Sequence, residues 1–125
     1  MTRLLLDTTF LIDAERDAAS LNEAIADDDD AAIAAITVAE LRVGAELASG
    51  RRRVARRSFV DRVVAALPVV NYDLAVAEAH AKLLTHVRRE GTPRGAHDLI
   101  IAATAVAAAR SIVTADRSAF ESLPG

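Results

Sequence analysis

Cysteine is absent from the 125 residues, which excludes disulfides and thiolate metal sites and fits a reducing cytoplasm as the expected location. Histidine is scarce. His80, His86 and His97 include no pair at the i, i+4 spacing that sets two imidazoles on one helix face, so a histidine-based zinc site is not expected. Long apolar runs are also missing. Leu4-Leu5-Leu6 meets a carboxylate at Asp7, too soon for a signal peptide. The longest run, Leu99 to Ala109, falls short of the roughly 20 residues of a membrane span and reads as a buried helix. Lysine is limited to Lys82, and the formal charge of −3 gives no general attraction for nucleic acid, so any RNA contact must come from local patches. Gly91 and Gly95 form no phosphate-cradling loop. The acidic run Asp27 to Asp30 lacks the alternating ligand spacing of a calcium loop.

What is present is an alternation of short apolar stretches with helical ones. About half the residues are apolar, and the length suits one domain spanning residues 1–125. Strands are expected at Leu4 to Leu6, Ala32 to Ile36, Val69-Val70 and Ile112-Val113. Between them fall helices from Thr8 through Ala14, from Ala18 to Ala26, from Thr37 to about Ala48, and over an arginine-rich stretch with Val54, Val60, Val63, Val64 and Leu67 inward. Pro68 breaks that stretch. Asp73 caps a long helix that ends at Gly91, Asp98 begins the most apolar helix, and a last short one holds Ala119, Phe120 and Leu123. Strands alternating with helices imply an α/β chain, with a parallel sheet covered on both faces.

Asp7 and Asp116 each follow a strand, at the sheet edge where open parallel sheets bind ligands. Glu40 and Asp98 lie in the first turns of helices that open toward the same edge. Four carboxylates gathered there repel one another unless a divalent cation compensates. Magnesium suits them, because it prefers hard oxygens and retains several waters. Such an ion eases deprotonation of water and stabilises charge growing on a phosphodiester, so phosphodiester hydrolysis is the chemistry expected. Each acid also has a plainer role open to it. Thr37-x-x-Glu40 has the form of a capping box, Asp98 can be an N-cap, and Asp116 can close a turn. Asp7, at the end of a buried strand, has the least obvious alternative, solvent exposure.

At these residues the sequence resembles the PIN-domain ribonucleases, and specifically the VapC-type toxins of toxin–antitoxin pairs. The similar segments are Leu5-Leu6-Asp7-Thr8-Thr9-Phe10-Leu11-Ile12, Ile36 to Gly44 around Glu40, His97-Asp98-Leu99-Ile100-Ile101-Ala102-Ala103-Thr104-Ala105, and Val113-Thr114-Ala115-Asp116-Arg117-Ser118-Ala119-Phe120. The resemblance implies a three-layer α/β/α fold with a parallel sheet of about four strands. It implies magnesium or manganese in direct contact with Asp7 and Asp98, with Asp116 joining the metal set and Glu40 and Asp116 completing the acidic pocket. It further implies RNA as substrate, products with a 5′-phosphate and a 3′-hydroxyl, a VapB-type antitoxin whose C-terminal segment obstructs the pocket, and a homodimer.

Arg51, Arg52, Arg53, Arg56 and Arg57 form a basic cluster for which RNA phosphate contact competes with a solvated helix face or an acidic antitoxin surface. Arg88, Arg89 and Arg94 are weaker phosphate candidates. Thr8, Thr9 and Thr114 stand beside the acids, where they can bond metal waters or serve turns. His97, next to Asp98, can carry a proton or face solvent from a loop. Two competing functions remain in view. A phosphatase with Asp7 as nucleophile wants an acid where Thr9 stands and a late lysine, which is missing. A non-catalytic interaction module would use the acids as caps.

Overall fold

The computed structural model describes residues 2–16, 28–91, 93–121 and 123–125. The helix expected at 18–26 and Asp27 lie outside the described residues. Among those described, the chain runs β1 (Arg3–Leu6), α1 (Thr8–Arg16), β2 (Asp30–Ala34), α2 (Ala35–Leu47), α3 (Gly50–Ala66), β3 (Val69–Val70), α4 (Leu74–Glu90), α5 (Ala96–Ala108) and β4 (Ser111–Val113), then a single 3-10 turn at Arg117–Ala119. The strands order as β3-β2-β1-β4, and each neighbouring pair is parallel. This is the three-layer α/β/α arrangement the sequence implies.

Alternation along β1 decides which helices cover which face. Leu4 and Leu6 pack with Phe10 and Leu11 of α1, Ile33 of β2, Leu41 of α2, and Val60 and Val63 of α3. Leu5 faces the other way and packs with Ala32, Ala34, Ile101 and Ala105. The alanines on that side leave room for α5 to lie close against the sheet. The outer side of α5 is then covered by α4, through Val76, Leu83 and Val87 against Leu99, Ala102 and Ala103. Asp73 caps α4 by accepting from Val76 N at 3.0 Å, and Gly91 ends it in the left-handed region at φ 70°, as glycine allows.

Local propensity misplaced the β2–α2 junction. The strand begins at Asp30 and ends at Ala34, and the helix starts at Ala35. Asp30 belongs to the strand because its carboxylate is neutralised there. Arg110, with its side chain 9% exposed, donates to Asp30 O at 2.7 Å and to Asp30 Oδ1 at 3.1 Å. Arg3 reaches Asp30 Oδ2 at 3.4 Å and Ala108 O at 2.9 Å. These contacts tie the amino edge of the sheet to the end of α5. In α3, Val60 and Val63 are buried in the core shared with α1, α2 and the sheet, while Val54 and Val64 are exposed on the side turned away from it.

Candidate active site

The carboxyl edge of the sheet presents the four acids. Asp7 follows β1 directly, and only 2% of its surface is exposed. Its buried charge is satisfied locally. Phe10 N donates to Oδ1 at 2.9 Å, Thr9 Oγ1 lies 3.0 Å from Oδ1, and Thr114 Oγ1 donates to Oδ2. The first of these bonds makes Asp7 the N-cap of α1, so it has the capping role expected of the other acids. Thr114 also accepts from Asp116 N at 2.9 Å, which links the loop after β4 to the acid after β1.

Glu40 does not cap its helix. With α2 beginning at Ala35, Thr37 falls inside the first turn, fully buried, and the N-cap position is held by Ala34 without a side-chain bond. The capping-box reading therefore fails. Glu40 Oε1 instead accepts from Thr8 Oγ1 at 2.7 Å, and Oε2 lies 3.3 Å from His97 Nδ1. Asp98 does not cap either, because α5 starts at Ala96 with Gly95 at the N-cap. Its carboxyl is held above the ordinary value of 3.8, first by partial burial and then by the charges of Glu40, Asp7 and Asp116. That mutual repulsion places all four acids in one electrostatic neighbourhood. Asp116 is the most exposed, opening the 3-10 turn and accepting from Ser118 Oγ at 2.6 Å.

The donor set consists of hard carboxylate oxygens. Among the described residues no three His, Asp or Glu side chains close into a ready-made cage. A dispersed acidic set of this kind fits magnesium, which takes one or two carboxylates and keeps its waters. Thr8, Thr9 and Thr114 donate to the acids rather than stand free. His97 sits in the first turn of α5 and not in a loop.

The family model for the PIN domain matches residues 4–125. The chain is 39% identical over 93 residues to the VapC ribonuclease Y4jK of Sinorhizobium fredii, covering 71% of this chain and 66% of that protein. It is 35% identical over 95 residues to the tRNA(fMet)-specific endonuclease VapC of Salmonella typhimurium, covering 74% and 69%. Among solved structures, the toxin–antitoxin complex VapBC-5 from Mycobacterium tuberculosis aligns with TM-score 0.80 and 30% identity over 98% of this chain and 93% of that one. DNA-bound VapBC from Salmonella typhimurium aligns with TM-score 0.82 and 27% identity over 100% and 95%. The chain belongs to the PIN-domain family, among the VapC-type ribonuclease toxins.

Two features of this PIN domain were not legible in the sequence. A Cβ added at Gly95 would stand 2.9 Å from Asp98 Oδ2, so the absent side chain makes room for the acid. Arg94 donates through Nη1 to Ser118 O and through Nη2 to Glu121 O at 2.6 Å, which fastens the segment after Asp116 to the start of α5. Arg94 is thus engaged with backbone, where a phosphate contact was one expectation. The arginine cluster divides in the same way. Arg53 donates to Ala48 O at 2.8 Å and Glu46 O at 2.9 Å, Arg56 to Gly44 O at 3.1 Å, and Arg57 pairs with Glu46 Oε1 at 2.7 Å. These three close the C-terminal end of α2, whereas Arg51 and Arg52 lie exposed on α3. A cleft of about 440 Å³ runs between α1, α2 and α3 from Glu40 past Ile12, Leu41 and Phe59, with Arg16 and Arg52 on its lining.

Proposed function

We propose that this VapC-type protein hydrolyses RNA phosphodiester bonds with a magnesium or manganese ion held by Asp7 and Asp98, with Asp116 at its margin. The observation that carries this reading is the convergence at one sheet edge of four acids from four separate segments, where burial first and then the charges of Glu40, Asp7 and Asp116 hold the Asp98 carboxyl above its ordinary value. When bound, the ion would supply a lowered water pKa and neutralise charge developing on phosphate. The chain's own residues set the stage for that chemistry. Thr9, Thr114 and the Phe10 amide fix both oxygens of Asp7, so its orientation is set before substrate arrives. Thr8 holds Glu40 at the rim of the pocket, where it would help to orient the attacking water. Arg51 and Arg52 are the free cations of the cluster placed to meet phosphate.

We also assign the cleft beside Glu40 to the antitoxin's C-terminal segment. Its apolar floor of Ile12, Leu41 and Phe59, with Arg16, Arg52 and Arg56 set against Glu15 and Glu40, suits an amphipathic segment that carries an acidic residue. Exposed Val43, Leu47 and Val54 on α2 and α3 offer an apolar surface for a second copy of the chain.

The deciding experiment compares wild type with Asp7→Asn and Asp98→Asn. Asn is as good an N-cap as Asp, so Asp7→Asn keeps α1 capped. Wild type is expected to cleave RNA only with added magnesium or manganese, and to gain thermal stability from the ion. Both variants are expected to remain folded and lose cleavage. Undiminished cleavage by both would remove the acids from the mechanism.

A further inference from the structure

Glu40 is the acid whose position the chain must work hardest to maintain. Its side chain is long, 27% exposed, and repelled by Asp98, so solvent offers it an easy alternative. Thr8 restrains one oxygen from the first turn of α1, at 2.7 Å. A single bond still allows the carboxylate plane to turn about that contact. The second oxygen faces His97 Nδ1 at 3.3 Å, from the first turn of α5. A carboxylate oxygen accepts, so the contact assigns the hydrogen to Nδ1, which donates in the tautomer that carries it there.

We infer that His97 is a positioning residue for Glu40, completing with Thr8 a two-point hold that fixes the carboxylate plane at the junction of α1, α2 and α5. Two neighbouring residues of one helical turn thereby do complementary work. Asp98 contributes an acid to the pocket, and His97 restrains the adjacent acid that Asp98 repels. The imidazole is itself more than half exposed, with 57% of its side chain open to solvent, so it contributes little to the core. Its removal therefore tests position and not folding. The inference rests on the nuclease reading above.

The test uses the full chain, a fluorophore-quencher RNA oligonucleotide of mixed sequence and magnesium. His97→Leu is expected to lower kcat roughly tenfold, the scale of losing one orienting contact, with KM and melting temperature unchanged. His97→Asn, whose side-chain amide nitrogen can take the place of Nδ1, is expected to restore most of the rate. Wild-type kcat in His97→Leu would overturn the inference and leave the nuclease reading intact. Equal losses in the Leu and Asn variants would also overturn it, since the imidazole would then be needed for itself. A rise in KM at constant kcat would overturn it by making His97 an RNA contact. Absence of metal-dependent cleavage in wild type would overturn both readings together.

Discussion

Asp98 carries a pH signature of its own. Its carboxyl binds a proton more tightly in the folded chain than at its ordinary value of 3.8, because burial and three neighbouring acids oppose its charge. The stabilisation linked to that proton is complete below 3.8 and is lost as pH rises through the folded value. Asp98→Asn, which cannot ionise, should therefore raise the stability of the metal-free protein at neutral pH. The gain should be below about 1 kcal/mol, given solvent screening, and should vanish toward acid. Urea midpoints across pH check this, and a variant less stable than wild type at neutral pH would contradict it. Gly95 separates stability from activity in another way. In Gly95→Ala the added methyl meets the far end of the Asp98 side chain, which can swing aside at little cost to the fold. Melting temperature is expected to hold while RNA cleavage falls several-fold, because on the proposed reading Asp98 acts in the pocket and the methyl pushes its Oδ2 off position. Asp7, Asp98 and Asp116 stood out in the sequence because each follows a strand or opens a helix, whereas Glu40, expected in a first turn, lies in the second turn of α2. The sequence could not name Gly95, whose importance lies in an atom it does not have, or the Thr8–Glu40 bond between residues far apart in the chain.

Helix ends decide the roles of several charged residues. No basic residue stands in the last turn of α2, so its terminal carbonyls are met from outside by Arg53 and Arg56 of α3. Truncating either arginine to alanine should cost about 1 kcal/mol, the ordinary net worth of such a bond, with RNA cleavage little changed below the melting transition. Arg51→Ala and Arg52→Ala should instead leave stability alone and flatten the salt dependence of RNA binding. Denaturation and salt titration of the four variants separate the two classes. As a run of sequence, the five arginines look equivalent, because their partners belong to a different helix. The capping residues of α4 were readable because Asp73 and Gly91 act on their own helix. The β2–α2 boundary was not, because alanines at 34 and 35 suit either element and tertiary contacts settle the matter. Asp30 belongs to an acidic run that carries no strand signal, and it joins β2 because Arg110 and Arg3, distant in sequence, neutralise it there.

Across the whole molecule the two edges of the sheet have opposite duties. The amino edge is an ionic fastening in which Arg110 joins Asp30 to Leu4 O at 3.2 Å. Arg110→Ala leaves Asp30, which is partly exposed and keeps Arg3, without its main partner and should cost about 1–2 kcal/mol. Below its lowered melting temperature the variant should cleave RNA at the wild-type rate, since the acids stand at the other edge. A rate loss in the fully folded variant would show that the edges are not independent. The parallel sheet itself followed from the alternation of apolar strands and helices, and every strand end faces one rim as a result. The acids on that rim come from opposite ends of the chain, and Thr114 reaches Asp7 across 107 positions. The pocket is therefore a product of tertiary closure: Asp7 gains its Thr114 partner and its Asp116 neighbour only once β4 has docked beside β1.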